Sequence, residues 1–174
     1  MAFPSRRARG PGRGDCLVDG GKHGPNRLSS YLAIHDTIMQ QFLGRDFVTS
    51  EDLSFSDLGN GVFLMEGTIY GLNDLRISVS KRLHIVGGNS TDPDVCTVAY
   101  SYSAILGNRG SIFRYDSPHA DHNDFHHKHQ YAVLDGDVRG TVMPIVPQNA
   151  WPTLGEVMQE LSDWYYEHLQ RIGE

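Results

Sequence analysis

The sequence predicts an α+β fold in which an antiparallel meandering β-sheet packs with an N-terminal and a C-terminal helix. One segment near each end of the chain has apolar residues at helical spacing. Between them, alternating strands are separated by turn sequences such as Gly-Asn-Gly and Gly-Leu-Asn-Asp. Short turns join antiparallel neighbours, because parallel strands need long crossovers. The 174 residues are therefore divided into a flexible Gly/Pro/Arg-rich tail, 1–27, and a single domain, 28–174.

The first helix is predicted over 29–43, with Ser29 or Ser30 as its cap and Gly44 at its end. The last helix begins at the sequence Thr-x-x-Glu, a capping box formed by Thr153 and Glu156. Strands are expected between the helices wherever the alternation holds. They are predicted near 53–58, 61–70, 74–86, 95–106, 111–116, 127–134 and 138–145.

Bulk composition excludes several classes of protein. A formal net charge of −6 argues against a protein that coats nucleic acid by general electrostatics, although it leaves room for a small cationic site. The longest apolar runs are too short for a transmembrane helix, and the N-terminus lacks the apolar core of a secretory signal. Cys16 and Cys96 form no C-x-x-C motif. We therefore expect a cytoplasmic protein with two free thiols and no membrane partner.

The segment "FRYDSPHADHNDFHHKHQY", from Phe113 to Tyr131, holds five of the nine histidines. One interpretation is a solvated turn, which suits the turn-forming residues of 117–124. A second is a metal site with His119, His127 and His129 as ligands, because imidazole nitrogens bind zinc well. A third is an active site without a metal or another cofactor.

Strand periodicity favours the third interpretation. Alternate residues of a strand share a face, so His127 and His129 point one way and Lys128 the other. If the strand that contains Arg114 and Asp116 pairs with this one, those two residues face either the two histidines or Lys128. A slip of one residue in the pairing exchanges the two outcomes. The sequence leaves that register open.

This inventory of side chains suits RNA cleavage by the 2′-hydroxyl group. Histidines titrate near neutral pH, so His127 and His129 serve as general base and general acid. Arg114 and Lys128 supply positive charge for the phosphate. Asp116 or Tyr115 would orient these groups, with His119 as a further catalytic candidate.

The same residues resemble a known family. "YSYSAILGNRGSIFRYDSPH", then "DFHHKH", then "PTLGEVMQEL", is similar to the TumE family of toxin–antitoxin toxins over about residues 53–166. The first motif of the family corresponds to Phe113–Asp116, with His119 in the loop that follows, and the second to His127–His129. Tyr100 and Tyr102 match its tyrosine strand, and we expect both to bind RNA, with Tyr102 stacked on a base.

The resemblance implies a growth-inhibiting toxin of a bacterial or archaeal cytoplasm that a helix-turn-helix antitoxin neutralises. It also implies an RNA or translation target. Two positions depart from the family pattern: Ser103 stands where members often have histidine, and Ser117 where they often have asparagine. An alternative is a non-catalytic toxin or an inactive partner of the antitoxin that binds protein through Trp164, Tyr165 or Tyr166.

Overall fold

A computed structural model describes residues 23–119, 125–132, 140–147 and 150–173 of the chain. The described residues form two α-helices, α1 and α2, and nine β-strands, β1 to β9. The elements in chain order are β1 Asn26–Arg27, α1 Leu28–Leu43, β2 Val48–Glu51, β3 Ser54–Gly59, β4 Val62–Gly71, β5 Leu75–Gly88, β6 Pro93–Leu106, β7 Gly110–Asp116, β8 His127–Gln130, β9 Thr141–Pro144 and α2 Leu154–Ile172.

All nine strands belong to one antiparallel sheet. The order β2-β4-β5-β6-β7-β8-β9 follows the chain from β4 onward, while β1 adds to β6 and β3 to β4. The α+β prediction, with an antiparallel meander and a helix near each end, is confirmed. The strands β1 and β2 were not predicted, because segments of two and four residues are too short for the alternation to be recognised.

Each helix begins in a different way. The predicted capping box of α2 is present, since Thr153 and Glu156 exchange side-chain and backbone hydrogen bonds. In α1 the N-cap position is Arg27, which makes no capping bond with its side chain. Instead, Asp92 accepts hydrogen bonds from the backbone N–H and the hydroxyl of Ser29, at 2.9 and 2.8 Å. The prediction of Ser29 or Ser30 as the cap is therefore corrected: a distant carboxylate stabilises this helix end.

The two faces of the sheet differ in what they carry. Buried apolar residues of the central strands pack with both helices on one side, here named the helix face. Val79, Tyr102 and Tyr115 lie on it, because residues directly opposite in antiparallel strands share a face. The other side, here named the open face, carries Ser80, Ser101 and Asp116 at the equivalent positions. The site residues divide between these two faces.

The structure revises two further expectations, one about the N-terminal tail and one about the cysteines. His23, assigned to the tail by composition, is buried and stacks on Trp151 with ring centroids 3.4 Å apart. The folded domain therefore begins before residue 28. The expectation of two free thiols is also wrong for Cys96, which is disulfide-bonded. Residues 1–22, including Cys16 and most of the predicted tail, lie outside the described residues.

No helix in the described part of the chain combines the length and the apolar character that a transmembrane helix requires.

Candidate functional site

Strand pairing brings the two motifs together. In the β7–β8 ladder, Arg114 lies directly opposite His129, and Asp116 lies opposite His127. These four residues share the open face, whereas Lys128 pairs with Tyr115 on the helix face. The register that the sequence left open is thus the one that places both alternate histidines beside the arginine and the aspartate.

Asp116 is at the centre of this cluster. Its carboxylate accepts a hydrogen bond of 2.9 Å from Arg114 Nε through Oδ1, and its Oδ2 lies 2.8 Å from the same nitrogen. Oδ2 is also 3.6 Å from His129 Nε2 and 3.8 Å from His127 Nε2. The aspartate is 2% exposed, so its charge is held away from water and acts on these neighbours at low screening.

The backbone determines how the ring of His127 is oriented. His127 Nδ1 lies 3.0 Å from the carbonyl oxygen of Phe125. A carbonyl accepts hydrogen bonds only, so Nδ1 is the nitrogen that donates. In the neutral ring, Nε2 then carries the lone pair and faces Asp116. A lone pair held in this way can take up a proton or bind a metal ion.

His119 completes a group with metal-binding spacing. Its ring centroid lies 5.1 Å from that of His127, and the two rings are tilted against each other. One ligand atom from each of Asp116, His119 and His127 lies within 4.8 Å of the others. His129 was predicted as a ligand and does not belong to this three-residue group, although its ring centroid is 5.0 Å from that of His127. His122, in the same motif, lies outside the described residues.

An open recess leads from the solvent to Arg114, Asp116 and His119, whereas His127 and His129 do not line it. It has a volume of about 270 Å³ and is lined on the open face by Arg82, Arg114, Asp116 and His119 among others. The Arg114 side chain is 43% exposed and therefore links the buried aspartate to water. Arg82 was not predicted as a site residue. The alternation of Arg76, Ser78, Ser80 and Arg82 along β5 is the signal that could have identified this polar face.

The departure at Ser103 falls on this same surface. Ser103 pairs directly with Arg114 across the β6–β7 ladder and so shares the open face. The residue is not among those that line the recess.

Two predicted members of the site lie elsewhere. Lys128 Nζ contacts Glu160 of α2 at 2.6 Å, and the Tyr115 hydroxyl donates a 2.7 Å hydrogen bond to the same carboxylate. Burial and this acidic partner raise the pKa of Tyr115. Both side chains therefore join the sheet to α2 on the side away from the imidazoles. The structure does not bring them to the cluster.

The tyrosines of β6 are also on the helix face. Tyr102 is 0% exposed, so its ring has no surface available to a nucleic acid base. Tyr100 is buried between its neighbours, and its hydroxyl lies 3.0 Å from His126 Nδ1. Burial lowers the pKa of His126 to about 4, which keeps this imidazole neutral near pH 7. These residues pack on the helix face, on the other side of the sheet from the cluster.

No family model, no curated protein and no solved structure matches this chain.

Proposed function

We propose that the protein is a growth-inhibiting toxin that cleaves RNA by metal-independent acid–base chemistry. One observation carries the proposal: His127 and His129 converge on the buried carboxylate of Asp116, which Arg114 holds at the inner end of a recess. Two imidazoles that can exchange protons and a guanidinium that can bind phosphate are the groups that this reaction needs.

In the proposed reaction, one imidazole removes the proton of a ribose 2′-hydroxyl, and because His127 is fully buried its neighbours must move for RNA to reach it. The oxygen attacks the adjacent phosphorus, and the bond from phosphorus to the 5′-oxygen breaks. The second imidazole protonates that leaving oxygen, so the products are a 2′,3′-cyclic phosphate and a 5′-hydroxyl end. Arg114, with Arg82 at the same recess, would hold the phosphate oxygens. Asp116 would orient the imidazoles and stabilise their protonated form, with His119 as an auxiliary group.

Lys128, Tyr115, Tyr100 and Tyr102 have no catalytic or base-binding part in this proposal. Their contacts are with α2, with His126 and with the core, on the face opposite the recess.

We further propose that the protein acts in the cytoplasm and is neutralised by a helix-turn-helix antitoxin. Both proposals rest on the resemblance of the two motifs to the TumE family. The disulfide at Cys96 is an argument against a reducing compartment, because disulfides are rare in cytosolic proteins.

The reaction is tested with purified protein and end-labelled RNA in the presence of excess chelator. We expect the wild type to generate cyclic-phosphate ends and His129→Ala to be slower by about 10²–10⁴-fold, the usual contribution of a general acid or base. Lys128→Ala is the matched control, because it removes a neighbouring cation on the other face. Cleavage by His129→Ala at the wild-type rate would remove the assigned role.

The Asp116–His119–His127 group supports a second candidate, a metal-dependent hydrolase. The hydrogen bond from His127 Nδ1 to a backbone carbonyl is the arrangement that orients many metal-binding histidines. A bound Zn²⁺ would supply an activated water there. The residues fit such an ion in number and type. Asp116 would then contact both the ion and Arg114.

Elemental analysis separates the two candidates. We expect untagged protein to contain less than about 0.1 zinc per chain and to keep its RNA-cleaving activity in chelator, because the guanidinium already neutralises the carboxylate. One zinc per chain in the wild type, its loss in His119→Ala and loss of activity in chelator would together identify Asp116, His119 and His127 as ligands. The matched control is His168→Ala, which changes a histidine on α2 outside the group.

A further inference from the structure

Lys81 is buried on the helix face and has no ionic partner among the residues that the structure describes. Its position in β5 lies opposite Met65 of β4 and Tyr100 of β6, so it belongs to a row that is otherwise apolar or aromatic. The residue is 9% exposed. Among the described residues, its ammonium makes a cation–π contact with the Tyr31 ring, with Nζ 4.8 Å from the ring centroid. A buried ammonium without a carboxylate is costly, because lysine is seldom buried unless it is paired.

The lysine borders a cavity of about 130 Å³ under α1. Liquid water takes about 30 Å³ per molecule, so the space has room for about four waters or a small organic ligand. One part of the wall is polar and includes Lys81, Tyr31 and Thr97. Another part is apolar and is formed by Ile38, Met65, Val95 and Leu154 among others. Such a division suits a molecule with one charged end and one apolar end.

We propose that this cavity binds a small organic anion, a monocarboxylate with a short aliphatic tail. The carboxylate would contact Lys81 Nζ, and the tail would lie against Ile38, Met65 and Leu154. The ligand would supply the negative charge that the described neighbours of Lys81 lack. The site is separate from the imidazole cluster, because Lys81 lies on the helix face and Asp116 on the open face.

Protonation gives the proposal a distinctive pH dependence. Burial lowers the pKa of Lys81 to about 8. A bound carboxylate favours the charged amine, so affinity should be full below pH 8 and should fall as the pH rises through that value. The other titratable groups around the cavity are His23, His35 and Tyr31, with Tyr100 opposite Lys81 in the sheet. Burial lowers the pKa of His35 and raises those of both tyrosines, so these three do not titrate between pH 7 and 9.5.

The test is calorimetric titration of the full chain with sodium butyrate at pH 7 and at pH 9.5. We expect saturable 1:1 binding at pH 7 and at least about tenfold weaker binding at pH 9.5, since a deprotonated amine loses the charge-assisted contact. Butylammonium, which has a tail of the same length and the opposite charge, should not bind. Lys81→Met, which removes the charge but keeps an unbranched side chain of similar length, should lose butyrate binding.

Arg76→Met is the matched control, because it removes a cation from the same strand but from the opposite face. It should bind butyrate as the wild type does. A thermal melt provides a second measurement: butyrate should raise the midpoint of the wild type and leave that of Lys81→Met unchanged. The inference is overturned if the wild type shows no saturable binding, if butylammonium binds equally well, or if Lys81→Met retains the wild-type affinity.

Discussion

Substitution of His127 by alanine is expected to abolish growth inhibition in cells that express the protein from an inducible promoter. The imidazole is fully buried, and its Nε2 faces the carboxylate of Asp116 at 3.8 Å. Its Nδ1 is fixed by the carbonyl oxygen of Phe125, which leaves Nε2 directed at that carboxylate. Without this group the proposed reaction loses a general acid or base, which is worth about 10²–10⁴-fold in rate. Viable counts after induction should match those of the empty vector.

Lys128→Ala is the control in the same experiment. The residue is adjacent in sequence and carries charge, but it contacts Glu160 on the helix face. Loss of such a partly exposed ion pair costs about 0–1 kcal/mol, so the variant should stay folded and toxic. Because alanine at position 127 also leaves a cavity, His127→Gln should be tested beside it, with circular dichroism to show that both variants fold. Toxicity that persists in folded His127 variants would favour the alternative of a non-catalytic toxin that acts by binding a protein.

That alternative has a defined surface. Tyr166 of α2 is 57% exposed, whereas Tyr165 is buried and Trp164 packs against the core. Of the three aromatic residues predicted for protein binding, Tyr166 is therefore the most exposed to a partner.

Replacement of Trp151 by alanine is expected to cause the largest loss of stability. The indole is fully buried and stacks on Tyr100 with ring centroids 4.5 Å apart, and on His126 at 5.6 Å. The backbone carbonyl oxygen of Trp151 also accepts a 2.7 Å hydrogen bond from His23 Nε2. Truncation of a large aromatic side chain in a core costs about 3–5 kcal/mol of unfolding free energy. Urea denaturation followed by circular dichroism measures this loss.

Tyr166→Ala is the matched control, because it removes an aromatic ring from an exposed position of the adjoining helix. Its unfolding free energy should stay within about 0.5 kcal/mol of the wild type, as for most surface substitutions. A loss below about 1 kcal/mol in Trp151→Ala would show that the stack of rings adds little to the stability of the domain, contrary to the usual cost of such a cavity.

The periodicity of the chain was enough to predict the larger elements. The strand predicted at 61–70 is found as Val62–Gly71, and the one at 74–86 as Leu75–Gly88. The capping box at Thr153 was also recognised, because it depends on two residues that are only three positions apart. Features that depend on distant contacts were not recognised, such as the Asp92 carboxylate that holds the start of α1.

The sequence by itself determined the α+β class, the order of the main elements and which residue types could carry acid–base chemistry, because these follow from local spacing and side-chain pKa. Only the tertiary structure decided which of those residues meet. The register of β7 against β8 joins Arg114 and Asp116 to His129 and His127 and turns Lys128 toward α2. A shift of one residue would exchange these sets, and packing of the helix face is what selects one register over the other.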